Sequence, residues 1–201
     1  MPLSHSFARI CAGVVSLFAW AGLVVQFGAT FADHGSVAEA VWILVRFFTI
    51  LTNIMVAVVF GAVALDMRRI ATPSLVGCTV LSIILVGVVY AVLLSGLAVL
   101  SGAAMLANIL LHRVTPIIAP LWWLLFGRQG RLVRADPWRW TAWPLAYLAY
   151  ALVRGRFEGI FAYPFLNYPD HGWASVLANC LVMALGFVLL GQGMVWIDRR
   201  G

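Results

Sequence analysis

The sequence predicts an all-α, polytopic integral membrane protein with six transmembrane helices and both termini in the cytoplasm. Its composition supports this class, because 64% of the residues are hydrophobic and only 10% are charged, whereas about 25% are charged in an ordinary globular domain. The length of its apolar runs and the placement of its arginines support it further. No linker is long enough to separate domains, so residues 1–201 are predicted to form a single six-helix domain.

Six apolar runs divide the chain, and most reach the roughly 20 residues that a helix needs to cross the hydrocarbon. They are Phe7–Ala29, Val41–Leu65, Ser74–Leu97, Gly102–Phe126, Trp138–Val153 and Ala174–Ile197. The fifth run is short and contains Pro144, but a tilted helix that continues to Phe161 would cross. The first run contains a signal-peptide-like AWA sequence, yet it stays apolar to Ala29, so we interpret it as a retained helix.

The arginines predict the orientation of the helices. All 13 Lys and Arg residues are arginines, and short loops rich in these residues stay on the cytoplasmic side of a membrane. Most of them lie at the termini and in the second and fourth loops: Arg9, Arg68, Arg69, Arg128, Arg131, Arg134, Arg139, Arg199 and Arg200. Both termini are therefore predicted to be cytoplasmic, which requires an even number of spans and supports the fifth.

The distribution of the arginines, cysteines and histidines gives no indication of nucleic-acid binding or of a metal site. The net charge of +6 does not indicate a nucleic acid, because the arginines are scattered over loops and form no basic stripe. Cys11, Cys78 and Cys180 lie within apolar runs and are interpreted as small buried residues. Three histidines lie in tails or loops without metal-ligand spacing: His5, His34 and His171. We predict no metal and no other cofactor.

The second apolar run carries polar side chains in its first half. Arg46, Thr49 and Asn53 follow one another at i, i+3 and i+7, which predicts that they share one face of a helix, with Thr52 on its flank. Polar groups inside a membrane face the interior of the helix bundle rather than lipid. This face is therefore predicted to point into the bundle.

The fourth apolar run carries a second polar face. Asn108 and His112 are four residues apart and are predicted to stack, with Arg113 about 100° further round the helix. Thr115 and Pro116 follow directly. Ionisable side chains inside a span indicate function by default.

Thr49 and His112 are predicted to lie at a similar depth. Thr49 is eight residues into its run and His112 ten residues into its own, which corresponds to roughly 12 and 15 Å from the outer end. A threonine hydroxyl and an imidazole, whose unperturbed pKa is about 6.5, are the minimum parts of a nucleophile and its base. If the two residues meet, they can perform nucleophilic catalysis.

Structural roles are the alternative for each of these residues. Thr49 can donate to the carbonyl of Val45 within its helix, and asparagines commonly join membrane helices. Arg46 either extends to the outer interface or binds the carboxylate of an amphiphilic substrate. Asn53, Asn108 and Arg113 are candidates for stabilising an oxyanion or binding substrate. The residues alone do not decide between these roles.

Outside these two faces, the polar and aromatic residues predict interfacial features. Arg154 and Glu158 are interpreted as a surface ion pair. The segment Tyr163–Pro169 is predicted to be an extended, rigid turn that covers the outer end of the bundle or contacts substrate. Several tryptophans around the fourth loop are interpreted as an interfacial belt: Trp122, Trp123, Trp138, Trp140 and Trp143.

Three stretches carry a resemblance to a known family. FFTILTN at Phe47–Asn53, LHRVTPIIAPLWWLLF at Leu111–Phe126 and AYPFLNYPDHG at Ala162–Gly172 together resemble the bacterial six-span Pr-six-Pr family. That family is similar to the androgen-induced membrane proteins, which are threonine hydrolases of fatty acid esters of hydroxy fatty acids. The match covers nearly the whole chain and depends on the combination of stretches.

The resemblance implies a catalytic pair and a membrane. Thr49 matches the family's nucleophile and His112 its base, while Arg113 replaces a small polar residue and Pro116 comes one position early. The implied function is hydrolysis of lipid esters in the bacterial inner (cytoplasmic) membrane, with a fatty-acyl ester as substrate and membrane lipids as partners. The alternative is a non-catalytic lipid-binding or sensing protein or a small transporter. The sequence sets no oligomeric state.

Overall fold

The computed structural model describes residues 5–97 and 99–200, and this part of the chain contains helices and turns but no strand. The all-α class is therefore confirmed. Its contacts group into two compact units, which are described separately. The first unit is the described chain up to Leu132 together with the residues from Asp198 onward, and the second unit is Val133–Ile197. The single domain over residues 1–201 stays a prediction.

The first unit contains six α-helices and three π-helical turns. The helices are α1 His5–His34, α2 Val37–Leu44, α3 Phe48–Ala64, α4 Pro73–Val89, α5 Gly102–Ile109 and α6 Thr115–Trp122. The turns are π1 Tyr90–Leu94, π2 Leu110–Val114 and π3 Trp123–Gly127. Helix α1 packs against α3, α5 and α6, while α4 packs against α3 and α6.

Capping side chains begin two of these helices. The Ser36 hydroxyl accepts a hydrogen bond from the Glu39 N–H at the start of α2. The Thr72 hydroxyl accepts one from the Leu75 N–H at the start of α4, where Pro73 occupies the first turn. Each cap satisfies a backbone donor that a helix terminus leaves without an intrahelical partner, and proline is favoured in the first turn because it has no N–H to satisfy.

Within residues 5–97 and 99–200, four helical segments are long and apolar enough to cross a membrane: His5–His34, Pro73–Leu94, Gly102–Gly127 and Tyr168–Asp198. They correspond to the predicted first, third, fourth and sixth runs. A fifth candidate is the pair α2 and α3, which passes the same criterion only when its two helices are taken together. The described helices are thus those of a multi-pass membrane protein, as predicted.

The second run departs from the prediction of one continuous helix. The chain turns by 96° between α2 and α3. Arg46 lies in that turn, so it does not share a helical face with Thr49 and Asn53 as predicted. The turn is stabilised by backbone hydrogen bonds between residues three apart. The Arg46 N–H donates to the Ile43 carbonyl at 3.2 Å, and the Phe47 N–H donates to the Leu44 carbonyl at 3.1 Å. These bonds tighten the end of α2 and satisfy donors that the break would otherwise expose.

The second unit contains the fifth and sixth runs. Its helices are α7 Asp136–Trp140, α8 Ala142–Glu158 and α9 Tyr168–Asp198, with a short 3₁₀ turn at Pro164–Leu166. Helix α8 ends at Glu158 because Gly159 adopts a left-handed conformation with φ of 69° and its N–H bonds to Gly155. The predicted continuation of this helix to Phe161 is therefore wrong.

Two expectations for the second unit need correction. The Arg154–Glu158 ion pair is present at 2.8 Å, but the Arg154 side chain is only 5% exposed, so the pair is not on the surface. The Arg154 guanidinium also donates to the Tyr150 hydroxyl at 2.7 Å, which helps to satisfy a buried charge. The segment Tyr163–Pro169 contains a 3₁₀ turn and the start of α9 instead of extended chain, because Pro164 fits the first position of a helical turn.

Most of the tryptophans near the fourth loop are buried within the protein. Trp122, Trp123 and Trp140 are nearly inaccessible, whereas Trp138 is 64% exposed. The Trp122 indole N–H donates to the Ala8 carbonyl at 2.8 Å, which joins α6 to α1. An interfacial belt is thus the wrong interpretation for these three, because an indole buried within the protein packs against its neighbours and does not lie at the lipid interface.

The cysteines occupy two kinds of environment. Cys78 on α4 is buried, as predicted, whereas Cys11 on α1 and Cys180 on α9 are partly exposed. The predicted core position is therefore confirmed for Cys78 alone. The other two lie on apolar helices that are long enough to cross a membrane. A small, weakly polar thiol suits both an apolar surface and a core.

A glycine allows α4 to approach the start of α6 closely. A Cβ atom added at Gly87 would lie 2.7 Å from the Pro116 Cβ atom and 3.9 Å from the His112 carbonyl oxygen. Real Cβ atoms do not approach a rigid proline ring so closely, so this part of the core accepts only glycine. The contact places α4 directly against the chain that carries His112.

We therefore expect Gly87→Ala to destabilise the protein by about 1–3 kcal/mol, the usual effect of overpacking a filled core. Gly28→Ala on α1 is the matched control, because an added Cβ there meets nothing within 4 Å. Alanine at that position should be neutral or slightly stabilising, given its higher helix propensity. Thermal unfolding of both purified variants in one detergent tests this, and equal unfolding midpoints would contradict the close contact.

Candidate active site between helix α3 and the π2 turn

Thr49 and His112 are in contact. Thr49 is the second residue of α3, directly after the 96° turn, and His112 is the central residue of π2. The Thr49 Oγ1 atom lies 3.2 Å from the His112 Nε2 atom. The Thr49 residue is only 5% exposed. The structure thus brings together the two residues that depth alone paired in the sequence.

The second ring nitrogen of His112 determines the direction of this hydrogen bond. The His112 Nδ1 atom lies 3.3 Å from the backbone carbonyl oxygen of Asn108. A carbonyl can only accept, so Nδ1 carries the proton and donates it to this oxygen. The lone pair of Nε2 then faces Thr49, whose hydroxyl donates to it. This is the tautomer that a general base requires.

The π2 turn frees backbone carbonyls near His112. The Thr115 N–H bonds to the carbonyl of Leu110, five residues back, instead of the carbonyl four residues back that an α-helix would use. Pro116 has no N–H, so it cannot restore the α-helical pattern at the next position. The Leu111 carbonyl is consequently open to side chains. Single π turns of this kind are frequent at functional sites.

Asn53 joins α3 to the π2 turn. Its side-chain Nδ2 donates to the Thr49 carbonyl at 2.9 Å and to the Leu111 carbonyl at 3.2 Å. Its Oδ1 accepts from the Thr115 hydroxyl at 2.7 Å. Asn53 and Thr115 are both fully buried. Because both amide hydrogens are used, this geometry favours a structural role for Asn53 over the donation of a hydrogen bond to substrate.

Tyr90 is a site residue that the sequence reasoning missed. It begins π1, and its ring lies against the His112 imidazole with centroids 4.4 Å apart. Its hydroxyl accepts a hydrogen bond from the Asn108 Nδ2 at 2.7 Å. Its ring centroid is 5.9 Å from the Arg113 guanidinium carbon. The available signal was a lone tyrosine within the Val- and Leu-rich third run.

The 96° turn between α2 and α3 places a helix N-terminus at the site. Thr49 lies in the first turn of α3, where the helix dipole is positive. Such a terminus favours negative charge. Arg46 lies in the turn just before it and is partly buried. The N-terminal turn of α3 thus makes the surroundings of the Thr49 hydroxyl electropositive.

Comparison of the chain with models of known protein families, with curated proteins and with solved structures found no match. The chemistry of the site is therefore inferred from its geometry and from the sequence patterns. Within residues 5–97 and 99–200, no three His, Cys, Asp or Glu side chains lie together in a way that could hold a metal ion.

The Asn53 contacts generate a stability prediction. Asn53→Leu keeps the approximate side-chain volume but leaves the Leu111 carbonyl and the Thr115 hydroxyl without this partner, so we expect a loss of about 1–2 kcal/mol. Thr79→Val is the control, because the equally buried Thr79 hydroxyl donates only within its own helix, to Leu75 at 2.8 Å. Thermal unfolding in detergent measures the stability of both variants. An equal loss of stability would show that the bonds of Asn53 between helices stabilise the protein no more than a hydrogen bond within one helix.

Proposed function

We propose that this protein is a membrane-embedded hydrolase of lipid esters, such as fatty acid esters of hydroxy fatty acids, with Thr49 as nucleophile and His112 as base. One observation carries the proposal. The Thr49 hydroxyl is 3.2 Å from His112 Nε2 while Nδ1 is engaged by the Asn108 carbonyl. This separation is within the reach that proton transfer requires, and the opposite nitrogen fixes the reactive tautomer.

The chemistry follows in two steps. Thr49 Oγ1 attacks the ester carbonyl carbon as its proton passes to His112 Nε2, which forms a tetrahedral intermediate. When the intermediate collapses, Nε2 returns the proton to the departing alcohol and leaves an acyl group on Thr49. Water then attacks the acyl carbonyl, again giving its proton to Nε2. Collapse of the second intermediate restores the Thr49 hydroxyl and releases the carboxylic acid.

The N-terminal turn of α3 supports the stabilisation of the oxyanion. The negative charge that develops next to Thr49 would face the positive end of the helix dipole. Asn108 and Arg113 remain candidates for the hydrogen-bond donor to the oxyanion, since both lie beside Tyr90 on the His112 side of the site. A straight second span would have placed no helix terminus at Thr49.

In the membrane we propose six spans, with both termini in the cytoplasm of a bacterium and the protein in its inner membrane. The placement of the arginines supports this topology. This topology requires that the pair α2 and α3 crosses the membrane as one span and that α8 crosses it as another. Helix α8 has 17 residues, which corresponds to about 26 Å, slightly less than the about 30 Å of hydrocarbon. Local thinning of the bilayer accommodates such a difference.

One observation favours a second candidate function. Discontinuous helices often surround the substrate sites of transporters, and the second span is broken by 96° beside Thr49. A small transporter or a lipid-binding or sensing protein would use the same polar site without turnover. In that case the contact between Thr49 and His112 would help to hold the ligand or the fold.

We expect purified protein in detergent to hydrolyse branched fatty acid esters, and Thr49→Val to abolish this activity because it removes the nucleophile while keeping a similar shape. His112→Ala should lower kcat by about a hundred- to ten-thousandfold, the usual contribution of a general base. Thr49→Ser retains a hydroxyl and should retain turnover. Rates measured on a panel of such esters test these expectations.

Thr79→Val is the control for that experiment, since it removes a buried hydroxyl away from the pair. Its rate should stay close to that of the unmodified protein, and thermal unfolding should show all variants to be folded. An unmodified protein that hydrolyses no ester, together with lipid binding that Thr49→Val and His112→Ala leave unchanged, would favour the non-catalytic alternative.

The proposed topology predicts opposite labelling on the two sides of α8. In a background with Cys11, Cys78 and Cys180 replaced by alanine, a reporter introduced by His171→Cys should react with a membrane-impermeant maleimide on intact cells. A reporter introduced by Arg131→Cys should react only after permeabilisation. Equal reactivity of the two reporters on intact cells would show that α8 does not cross the membrane.

A further inference from the structure

Arg113 lies in an unusual position for a charged residue. It is in the π2 turn, near the middle of the apolar segment Gly102–Gly127, about 16 Å from the start of that segment. Its side chain is exposed at the surface of the first unit. A charge at this depth is unfavourable in hydrocarbon unless an opposite charge or a polar cavity accompanies it.

The chain itself does not supply that opposite charge. The sequence has no Asp or Glu between Asp66 and Asp136, so the third and fourth apolar runs contain no carboxylate. The ion pairs of residues 5–97 and 99–200 do not include Arg113. Its observed neighbour is the Tyr90 ring at 5.9 Å, which offers a cation–π contact but no charge.

Tyr90 connects Arg113 to the proposed active site. One ring contacts both the His112 imidazole, at 4.4 Å between centroids, and the Arg113 guanidinium. The Tyr90 hydroxyl accepts a hydrogen bond from Asn108, and a phenol can accept one bond and donate another, so its O–H can donate to a ligand. A ligand anion held by Arg113 would therefore meet a second donor and would lie directly beside the base.

We propose that Arg113 and Tyr90 bind the carboxylate of an amphiphilic acyl ligand. A guanidinium binds a carboxylate through two parallel hydrogen bonds, which fixes direction as well as position. The inference deepens the proposed function and rests on it in one respect: an ester substrate would be oriented by its free carboxylate before Thr49 attacks. Arg46 is less suited to this role, because it is partly buried in the turn before α3, whereas Arg113 is exposed beside Tyr90.

The test measures binding and requires no turnover. Tritiated palmitate and tritiated methyl palmitate are titrated into Thr49→Val protein in phosphatidylcholine nanodiscs. Addition of Arg113→Gln should weaken palmitate binding by about ten- to one-hundredfold, the contribution of charge-assisted hydrogen bonds. Methyl palmitate, which has no carboxylate, should bind equally with and without the substitution. Addition of Tyr90→Phe keeps the ring and should weaken palmitate binding by a smaller factor.

Two further variants separate Arg113 from positive charge in general. Arg69→Gln removes an exposed loop arginine and should leave palmitate binding unchanged. Arg46→Gln should also leave it unchanged. If Arg46→Gln weakens palmitate binding and Arg113→Gln does not, the carboxylate is held at the turn before α3 and the proposal is wrong. Equal palmitate affinity with and without Arg113→Gln, in variants of equal thermal stability, would overturn it as well.

The source of the anion is tested by a third ligand. If Arg113→Gln weakens binding of dipalmitoyl phosphatidic acid and not of palmitate, the site recognises a lipid phosphate and the carboxylate assignment falls. These binding measurements do not depend on whether the protein hydrolyses esters. Selective loss of palmitate binding in a protein that hydrolyses no ester would leave the carboxylate site standing and overturn only the proposed hydrolase.

Discussion

The geometry of the candidate active site depends on one buried amide. Asn53 holds the first turn of α3 and the π2 turn together, since its Nδ2 bonds to a carbonyl on each and its Oδ1 accepts from Thr115. Each of these groups is removed from water, so each depends on partners within the protein. The relative position of the nucleophile and the base follows from this arrangement, because Thr49 and His112 extend from the same two turns.

Irregular backbone makes the arrangement possible. The 96° turn before α3 ends one helix and begins another at the level of the site, and π2 frees a carbonyl for Asn53. Irregular backbone is tolerated at membrane depth only where protein or a polar cavity satisfies its groups. Here backbone hydrogen bonds between residues three apart satisfy the groups at the turn before α3, and the Asn53 amide satisfies the Leu111 carbonyl. The π2 turn thus provides the carbonyl that Asn53 binds, and Asn53 satisfies the carbonyl that the π2 turn leaves open.

The sequence predicts the helices well but not their interruptions. The length of the apolar runs was enough to predict the helices of the first, third, fourth and sixth runs. The similar depths of Thr49 and His112 were enough to predict that these two residues meet. The turn at Arg46 has no glycine or proline to mark it, so only contacts within the folded protein select it. Helical periodicity assumes 3.6 residues in every turn, and π2 departs from that value. Tyr90 was missed because its contribution is a contact with residues far away in the sequence, which no local pattern records.

The π2 turn also makes the number of residues in this segment a functional constraint. A π turn accommodates one more residue than an α-helical turn, so losing Leu110 would allow a regular α-helix. The segments on its two sides would keep nearly the same relative orientation, because the π turn absorbs the extra residue. The Thr115 N–H would then bond to the Leu111 carbonyl, which now accepts from Asn53, although every polar side chain of the site would still be present. In related chains, spacing would thus discriminate active from inactive members where residue identity does not.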